Sequence, residues 1–496
     1  MLENTEKLAS VDIGSNSIHL AIAERHGDKL KKIASMSEKV QLGAGLDEYD
    51  QLSDDVQLRG LDCLARFAER LTDINADHVR VVATNALRRA INGDQFIQKA
   101  NAILPSPIEV ISGREEARLI YLGVSHTCPS SRQRLVVDIG GGSTELIIGK
   151  QALPILTESA QMGSVSFTQR FFKSGQITAL DFEKAIYAAQ KEIIHHANRY
   201  KKTGFDEVIG SSGTIKTIKQ ALAGFGMGDE ITLAGVEALK DALIRWQHID
   251  EIDLDGVKAY RKAIFPAGVA ILLAVMKVFG IRRMRYCDGA LREGVMYDML
   301  ARFGNDDVRD DSVQALMTRF NVDKKQAKRV AKTAQSLFEQ VESTLKLPLG
   351  AEQMLRRAAF LHEIGLAIGH GSYHQHSAYM LKHADMAGFS RTDQEQLSHL
   401  VRHHRRTITS VDYGVITKAG GVALAHLALI LRLAVVANHT RTELGKQQLR
   451  LIITDSDHWH IQVQIDKPEH QACVIDIGDE TPWFAKWGID LSVAGV

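Results

Sequence analysis

The amino-acid sequence predicts an α/β chain of two duplicated lobes, followed by an all-helical region and a small terminal α+β domain. Three observations carry this. A strand, a glycine-rich turn and a returning strand occur at residues 135–148 (LVVDIGGGSTELII) and, earlier, at 8–22 (LASVDIGSNSIHLAI). Strand-like and helix-like stretches alternate as far as residue 303. From there to about residue 445 apolar residues recur at helical spacing, and alternation returns only at the end. The expected domains are 1–130 and 131–303 for the lobes, 304–445 for the helical region and 446–496 for the terminal domain.

In the hairpin at 135–148 an apolar run leads into Asp138, a GGGST turn follows, and Glu145 opens a second apolar run. Glycines let the backbone approach a ligand closely, and successive N–H groups in such a turn form a concavity suited to phosphate oxygens. Asp138 and Glu145 repel phosphate, so their position makes sense if a divalent cation sits between carboxylate and phosphate. In the earlier copy Asp12, Ile13, Gly14, Ser17, Leu20 and Ile22 align without a gap on Asp138, Ile139, Gly140, Ser143, Leu146 and Ile148. Two such turns imply two halves, each offering a phosphate loop to a shared cleft.

Taken in order, residues 1–35 read as a strand meander and 52–71 as a helix. VRVVAT (79–84) is a short buried strand running into TNALRR, where Arg88 and Arg89 are either solvated helix arginines or a guanidinium fork reaching phosphate. IEVISGREEARLIYLGV is a strand and a helix, with Ser112 and Glu115 fitting a capping box. Glu116 is left without a capping role. It is either an acid favoured by the helix dipole or a general base at the mouth of the cleft. After the second hairpin come a helical stretch over 179–200 and a strand ending at Ile209. There the turn GSSGT feeds a helix N-terminus, another potential anion site. FPAGVAILLAVM reads as a buried helix, MRYCDGALREGVMYDML as strand, turn and helix, and FGNDDVRDDS as a polar, acidic linker. Beyond it, Lys324, Lys325, Lys328 and Arg329 form a basic helix face, and LRLIITDSDHWHIQVQI opens the terminal sheet.

Across 496 residues, 60 basic side chains balance 60 acidic ones, so no global field advertises DNA, RNA or a membrane. Cys63, Cys128, Cys287 and Cys473 show no CxxC pairing and are expected as reduced thiols in a cytoplasmic protein, without a disulfide framework or structural zinc. The polar N-terminus lacks an apolar signal core. The apolar runs 265–276 and 421–437 are expected as buried helices, the first too short to span a bilayer and the second interrupted by His426 and Arg432. Peripheral membrane association stays open.

The helical region holds His362, His370, His374, His376, His383, His399, His403, His404, His426 and His439. LRRAAFLHEIGLAIG resembles the metal-binding helix of HD-type phosphohydrolases. Here the pair is His362-Glu363, and RLAVVANHT stands where that family places an Asp, so the metal site is expected to be degenerate. Arg402, Arg405 and Arg406, with His403 and His404 between them, fit a polyanion-binding surface better.

Together VDIGSNSIHL, VISGREEARLIYLG, VVDIGGGSTELIIG, GSSGTIK and DGALREGVMYDML resemble the exopolyphosphatase and guanosine pentaphosphate phosphohydrolase family, densely over residues 1–303. The resemblance implies lobes of the actin, Hsp70 and sugar-kinase type (ribonuclease H-like) with the active site between them, an HD-like helical domain and a homodimer. Matched residue by residue, it makes Glu116 the catalytic base. Asp138 and Glu145 would hold Mg²⁺, with Asp12 assisting, and a monovalent cation such as K⁺ is a further candidate. Backbone N–H groups of Gly14, Ser15, Asn16 and Ser17 and of Gly140, Gly141, Gly142 and Ser143 would cradle phosphates, together with Ser211, Ser212, Gly213 and Thr214. Arg88 would be the clamp.

Within that family GGGST and DGALREG lean toward exopolyphosphatase, since the pentaphosphatase branch tends to carry Ala for one glycine and Gly for the Asp. Hydrolysis of terminal phosphate from inorganic polyphosphate is therefore the leading expectation, with the basic segments 324–329 and 402–406 as its path. The alternative is removal of the terminal 5′-phosphate from guanosine pentaphosphate. A kinase of the same superfamily would need ATP and an acceptor. A non-catalytic sensor of polyphosphate or alarmone would lose the base, and Glu116 is retained.

Overall fold

A computed structural model describes residues 6–304, 306–442, 448–455, 457–466 and 468–496. The first residues of the expected meander, Asn305 of the expected linker and the expected boundary at 445–446 lie outside them. The chain forms two compact units, Met1–Asp306 and Asp307–Val496.

The first unit holds two sheets of one plan. In the first, β1 (Lys7–Ile13) pairs antiparallel with β2 (Ile18–His26), which pairs antiparallel with β3 (Lys29–Glu38). On the other side β4 (Val79–Ala83) and β5 (Ile108–Val110) run parallel to β1, giving the order β3-β2-β1-β4-β5. The second sheet repeats this as β8-β7-β6-β9-β11, with a short β10 added antiparallel at the edge. Its strands are β6 (Gln133–Ile139), β7 (Thr144–Lys150), β8 (Leu153–Ala160), β9 (Glu207–Ser211), β10 (Ile231–Thr232) and β11 (Arg283–Tyr286). This repeated topology is that of duplicated actin-like lobes, and it explains why the hairpin motif occurs twice.

Both faces are covered at the centre of these sheets, where β1, β4, β6 and β7 are buried along nearly their whole length, whereas the edge strand β3 is largely exposed. The two-residue period divides the work. Leu135 and Val137 face the core of their own lobe, while Val136 faces a shared layer. That layer also takes Val82 of β4, Ile147 of β7 and Ile209 of β9, and it is filled by the helices Gly113–Thr127 and Leu291–Arg302. These helices meet backbone to backbone. A β-carbon on Gly294 would overlap the Leu119 carbonyl, and one on Gly123 the Ala290 carbonyl, so only glycine fits at either position.

Beneath the crossing lies a buried ion network. Asp298 accepts from Arg118 at 2.5 Å, Arg80 at 2.6 Å and Arg302 at 3.0 Å. Arg80 also grips Glu109, and Arg118 grips Glu115 with both carboxylate oxygens. The expected capping box is thereby altered: Ser112 Oγ accepts from the Glu115 N–H at 3.1 Å as anticipated, but the Glu115 carboxylate is turned to Arg118.

One cysteine expectation is overturned. Cys128 and Cys287 are joined in a disulfide, with Cα atoms 6.5 Å apart, while Cys63 and Cys473 are free and buried. The pair is separated by 159 positions in sequence and meets only because the end of one central helix reaches the end of β11. The argument for a reducing compartment therefore keeps two of its four thiols.

In the second unit six helices run from Val308–Arg319 to Ser410–Ala437, and the sheet β12 (Leu449–Asp455), β13 (His458–Val463) and β14 (Asp490–Gly495) follows. Leu337, Leu400 and Leu431 of the helices share one apolar core with Trp459 and Ile461 of the sheet. The acidic stretch expected as a linker is largely helical from Val308. Its charges are used, because Asp307 binds Arg309 and Arg357, and Asp310 binds Arg356 and Arg357. Residues 259–279 and 410–437 are long and apolar enough to cross a membrane by composition, but most of each such window is buried inside the protein.

Candidate functional site

The carboxyl-terminal ends of β1, β4, β6 and β9 open onto a cleft of about 240 Å³ in the first unit. Its floor is the pair of turns anticipated from sequence. They close identically: the Gly14 N–H donates to the Ser17 carbonyl at 3.1 Å, and the Gly140 N–H to that of Ser143 at 2.9 Å. The turns face one another across the cleft. A β-carbon on Gly141 would lie 3.1 Å from Ser15 Cβ, whereas one on Gly142 would overlap the Asn85 side-chain oxygen.

Register places the acids. Asp12 and Asp138 end their strands just before each turn, and Asp138 stands opposite Glu145 on β7 and Ser211 on β9. Burial raises both aspartates from 3.8 to about 7. Arg292 opposes the rise at Asp12, where the charges of Glu116 and Asp138 add to it. At Asp138 the side chain of Ser211, its neighbour on β9, opposes it. Glu116 sits in the first helical turn, 7% exposed. Burial pushes its carboxyl up and Arg88 draws it back down.

Other predicted residues do not line the cleft. Glu145 is buried beside Asp138 on the neighbouring strand, accepts from Ser159 Oγ at 2.8 Å, and is raised well above the ordinary range by burial and by Glu116 and Asp138. Among the described residues no three His, Cys, Asp or Glu side chains converge to hold an ion, so Asp12, Asp138 and Glu145 do not close into a three-carboxylate nest. Of these three, Asp12 and Asp138 line the cleft and Glu145 does not. That still suits Mg²⁺, which is commonly held by one or two carboxylates completed by substrate phosphates and water. Ser211 likewise supports rather than lines, donating to the Gly289 carbonyl at 2.7 Å. Ser212, Gly213 and Thr214 do face the cleft, and Ser212 holds φ at +84°, a costly conformation for a residue with a side chain.

Arg88, expected as the phosphate clamp, is not among the cleft-lining residues. It lies in the short helix Asn85–Arg89, and its Nη1 is 2.8 Å from the Ile111 carbonyl and 3.2 Å from Glu116, which does line the cleft. The cations lining the cleft are Lys216, Arg261 and Arg292. Arg292 donates to His19 Nδ1 at 3.1 Å, and burial with this neighbouring charge lowers His19 to about 3, keeping it neutral. Lys216 and Tyr286 both meet Asp288 at 2.8 Å. Lys216 and Arg292 lie within GSSGTIK and DGALREG, where a basic residue beside a phosphate turn was the available signal. Arg261 sits in no motif.

Sequence comparison now adds to this geometry. The profile of the Ppx/GppA phosphatase family matches residues 21–303, and that of Ppx/GppA phosphatase, domain III, matches 308–474. A protein of Vibrio vulnificus named guanosine-5'-triphosphate,3'-diphosphate pyrophosphatase is 40% identical over 441 residues, 88% of each chain. Its namesake from Vibrio cholerae is 39% identical over 462 residues, 91% of this chain and 92% of that one. Among solved structures, a Ppx/GppA enzyme of Aquifex aeolicus is 27% identical, with a TM-score of 0.50 over 59% of this chain and 99% of its own. A Cytophaga hutchinsonii protein described as an exopolyphosphatase shares the fold, with a TM-score of 0.55 at 23% identity over 60% of this chain and 98% of its own.

Proposed function

The chain belongs to the Ppx/GppA phosphatase family and is a phosphoric anhydride hydrolase, and from that premise we propose that it removes the terminal 5′-phosphate of guanosine pentaphosphate, giving the tetraphosphate and orthophosphate. The relatives named for that reaction, 39–40% identical over most of the chain, place this substrate ahead of polyphosphate. The order expected from GGGST and DGALREG is thereby reversed. Those two motifs remain what favours polyphosphate as the second substrate.

The observation that carries the mechanism is a buried carboxylate, Glu116, at a cleft whose floor is two inward-facing phosphate turns. Glu116 takes a proton from the attacking water as its oxygen bonds to the terminal phosphorus, and the bridging oxygen leaves with the nucleotide. The N–H groups of residues 15–17 and 141–143, those of Gly14 and Gly140 being used to close the turns, hold the phosphoryl oxygens, and Arg292, Arg261 and Lys216 offset the charge that builds on them. Arg88 orients Glu116 and opposes the rise that burial imposes on its carboxyl. Asp12 and Asp138 would hold Mg²⁺, which supplies charge neutralisation on the phosphates when bound.

The helical unit is read as HD-like with its metal site lost. In support, Glu363 is engaged by Arg441 at 2.8 Å, and His362 Nδ1 lies 2.7 Å from the Ala359 carbonyl.

The test is phosphate release by the purified protein from guanosine pentaphosphate, long polyphosphate and ATP, with Mg²⁺ and with chelator. Turnover of the pentaphosphate is expected to exceed that of ATP by at least an order of magnitude. Equal turnover of all three, or of polyphosphate alone, would sink the assignment.

A further inference from the structure

We propose that Cys128 and Cys287 form a reversible oxidation site, taking a hydroperoxide as oxidant, that fixes one wall of the hydrolytic cleft.

The two sulfurs join segments that both lead to the cleft. Cys128 caps the carboxyl end of the helix Gly113–Thr127, whose first turn carries Glu116. Cys287 follows β11 and is succeeded at once by Asp288, Ala290, Leu291 and Arg292 of the cleft wall. Gly289, between them, donates its N–H to Cys287 Sγ at 3.4 Å, and its carbonyl accepts from Ser211, the neighbour of Asp138 on β9. Gly289 is also pressed against the helix end: a β-carbon there would lie 2.6 Å from the Gly123 carbonyl and from Thr127 Oγ1. The bond ties the helix end to the 287–292 segment, and its reduction removes that covalent cross-link between them.

A second observation concerns Arg134. It is 1% exposed, it forms no ion pair with a carboxylate among the described residues, and its Nε has no hydrogen-bond partner there. Its Nη1 donates to the Cys128 carbonyl at 2.5 Å. A buried guanidinium normally has an anion beside it. Its other contacts, the Gln151 carbonyl at 3.5 Å and the face of Tyr121, are not anions. A thiolate on Cys128, the residue whose carbonyl it holds, would bring one into its field, and a nearby guanidinium is the setting in which a thiol becomes reactive. Access differs between the two sulfurs. Cys128 is half-buried, next to a surface cavity of about 430 Å³ lined by Ser125, Pro129 and Ser130, whereas Cys287 is 2% exposed. Cys128 is thus the attacking thiol and Cys287 the resolving one.

In the first step the Cys128 thiolate bonds to one peroxide oxygen, the O–O bond breaks, and the other oxygen leaves as alcohol or water after taking a proton. In the second, Cys287 sulfur attacks the Cys128 sulfenic acid, the S–S bond forms, and hydroxide leaves as water with the Cys287 proton. Two thiols lose two electrons and the peroxide gains them. A dithiol reverses the change by exchange.

Because the inference rests on the cleft being hydrolytic, the experiment reads thiols and turnover separately. The full-length protein is reduced with dithiothreitol, desalted and divided, and one half is treated with hydrogen peroxide. Thiols counted after denaturation should be four in the reduced half and two in the oxidised half. Turnover of guanosine pentaphosphate and of polyphosphate is read in both halves. The reduced form should lose about tenfold in kcat/KM, within the 10²-fold that misplacement of about 1 Å can cost. Cys128→Ser and Cys287→Ser should each stay at the reduced level and ignore peroxide. Arg134→Lys should keep the rate of thiol loss near that of the native protein, whereas Arg134→Gln should slow it without changing the end point. Four thiols surviving peroxide, or equal kcat/KM in the two halves for whichever substrate is turned over, overturns the proposal. Rejection of the pentaphosphate alone overturns the substrate assignment and leaves this one standing.

Discussion

Arg88 Nη1 lies 3.2 Å from Glu116 Oε2 and, with the same nitrogen, 2.8 Å from the Ile111 carbonyl. The arginine is therefore anchored to backbone and directs the same nitrogen at Glu116.

Two substitutions separate these roles. Glu116→Gln should lower kcat by about 10²–10⁴ while leaving substrate binding nearly unchanged. Arg88→Met should lower kcat less and shift the acid limb of the pH–rate profile upward, because Arg88 holds the Glu116 carboxyl down. Steady-state kinetics from pH 5 to 9 would show it, and an unmoved limb would remove Arg88 from this role.

The glycine turn makes a graded prediction. Gly142→Ala drives a methyl into Asn85, whereas Gly141→Ala needs Ser15 to yield only slightly. We expect Gly142→Ala to lose about tenfold or more in kcat/KM, as displacement of a positioning group does, and Gly141→Ala to remain within a few-fold of the native enzyme. The reverse ranking would contradict the facing-turn geometry.

Stability should respond to pH through the two cleft aspartates. Their folded values, about 7, lie above the unfolded value of 3.8, so the folded protein binds more protons than the unfolded one between those limits. Their contribution is therefore fully favourable at low pH and is lost as pH rises toward 7. His19, lowered to about 3, acts with the opposite sign below its ordinary value of 6.5, so the clean quantity is a difference between proteins. In chelator, Asp138→Asn should be more stable than the native protein at pH 8, with the gap closing by pH 4. Mg²⁺ should stabilise the native protein more at pH 8 than at pH 5. Thermal unfolding at both pH values checks each statement, and a gap independent of pH would refute them.

Asp298 offers a structural test. Replacing it with Asn leaves Arg80, Arg118 and Arg302 short of a buried counter-charge. Breaking such a network typically costs about 3–5 kcal/mol. Urea unfolding should report a loss of that order, and a loss under about 1 kcal/mol would show that solvent or Glu109 and Glu115 compensate.

What could be read beforehand follows the range of the interactions. The duplicated hairpins were legible because a strand, a turn and a returning strand are written in consecutive residues. Glu116 stood out because Ser112 and Glu115 account for the cap without it. The pairing of Arg88 with Glu116 was not legible, because the two are 28 positions apart. Arg261 and the Cys128–Cys287 bond were invisible for the same reason, since nothing local marks a residue whose neighbour is brought by folding. The engagement of Glu145 by Ser159 depended on β8 pairing with β7, which nothing local to Glu145 marks.

The backbone contact at Gly123 and Gly294 has a mechanical meaning. No side chain stands between the two central helices there, so nothing can compress or repack to let them slide. Rotation about that point is the freedom that remains, like blades turning on a rivet. Glu116 and Arg292, carried near the starts of the two helices, would then swing as parts of one instrument, and whatever widens the cleft must also change the angle between the base and the cation opposite it.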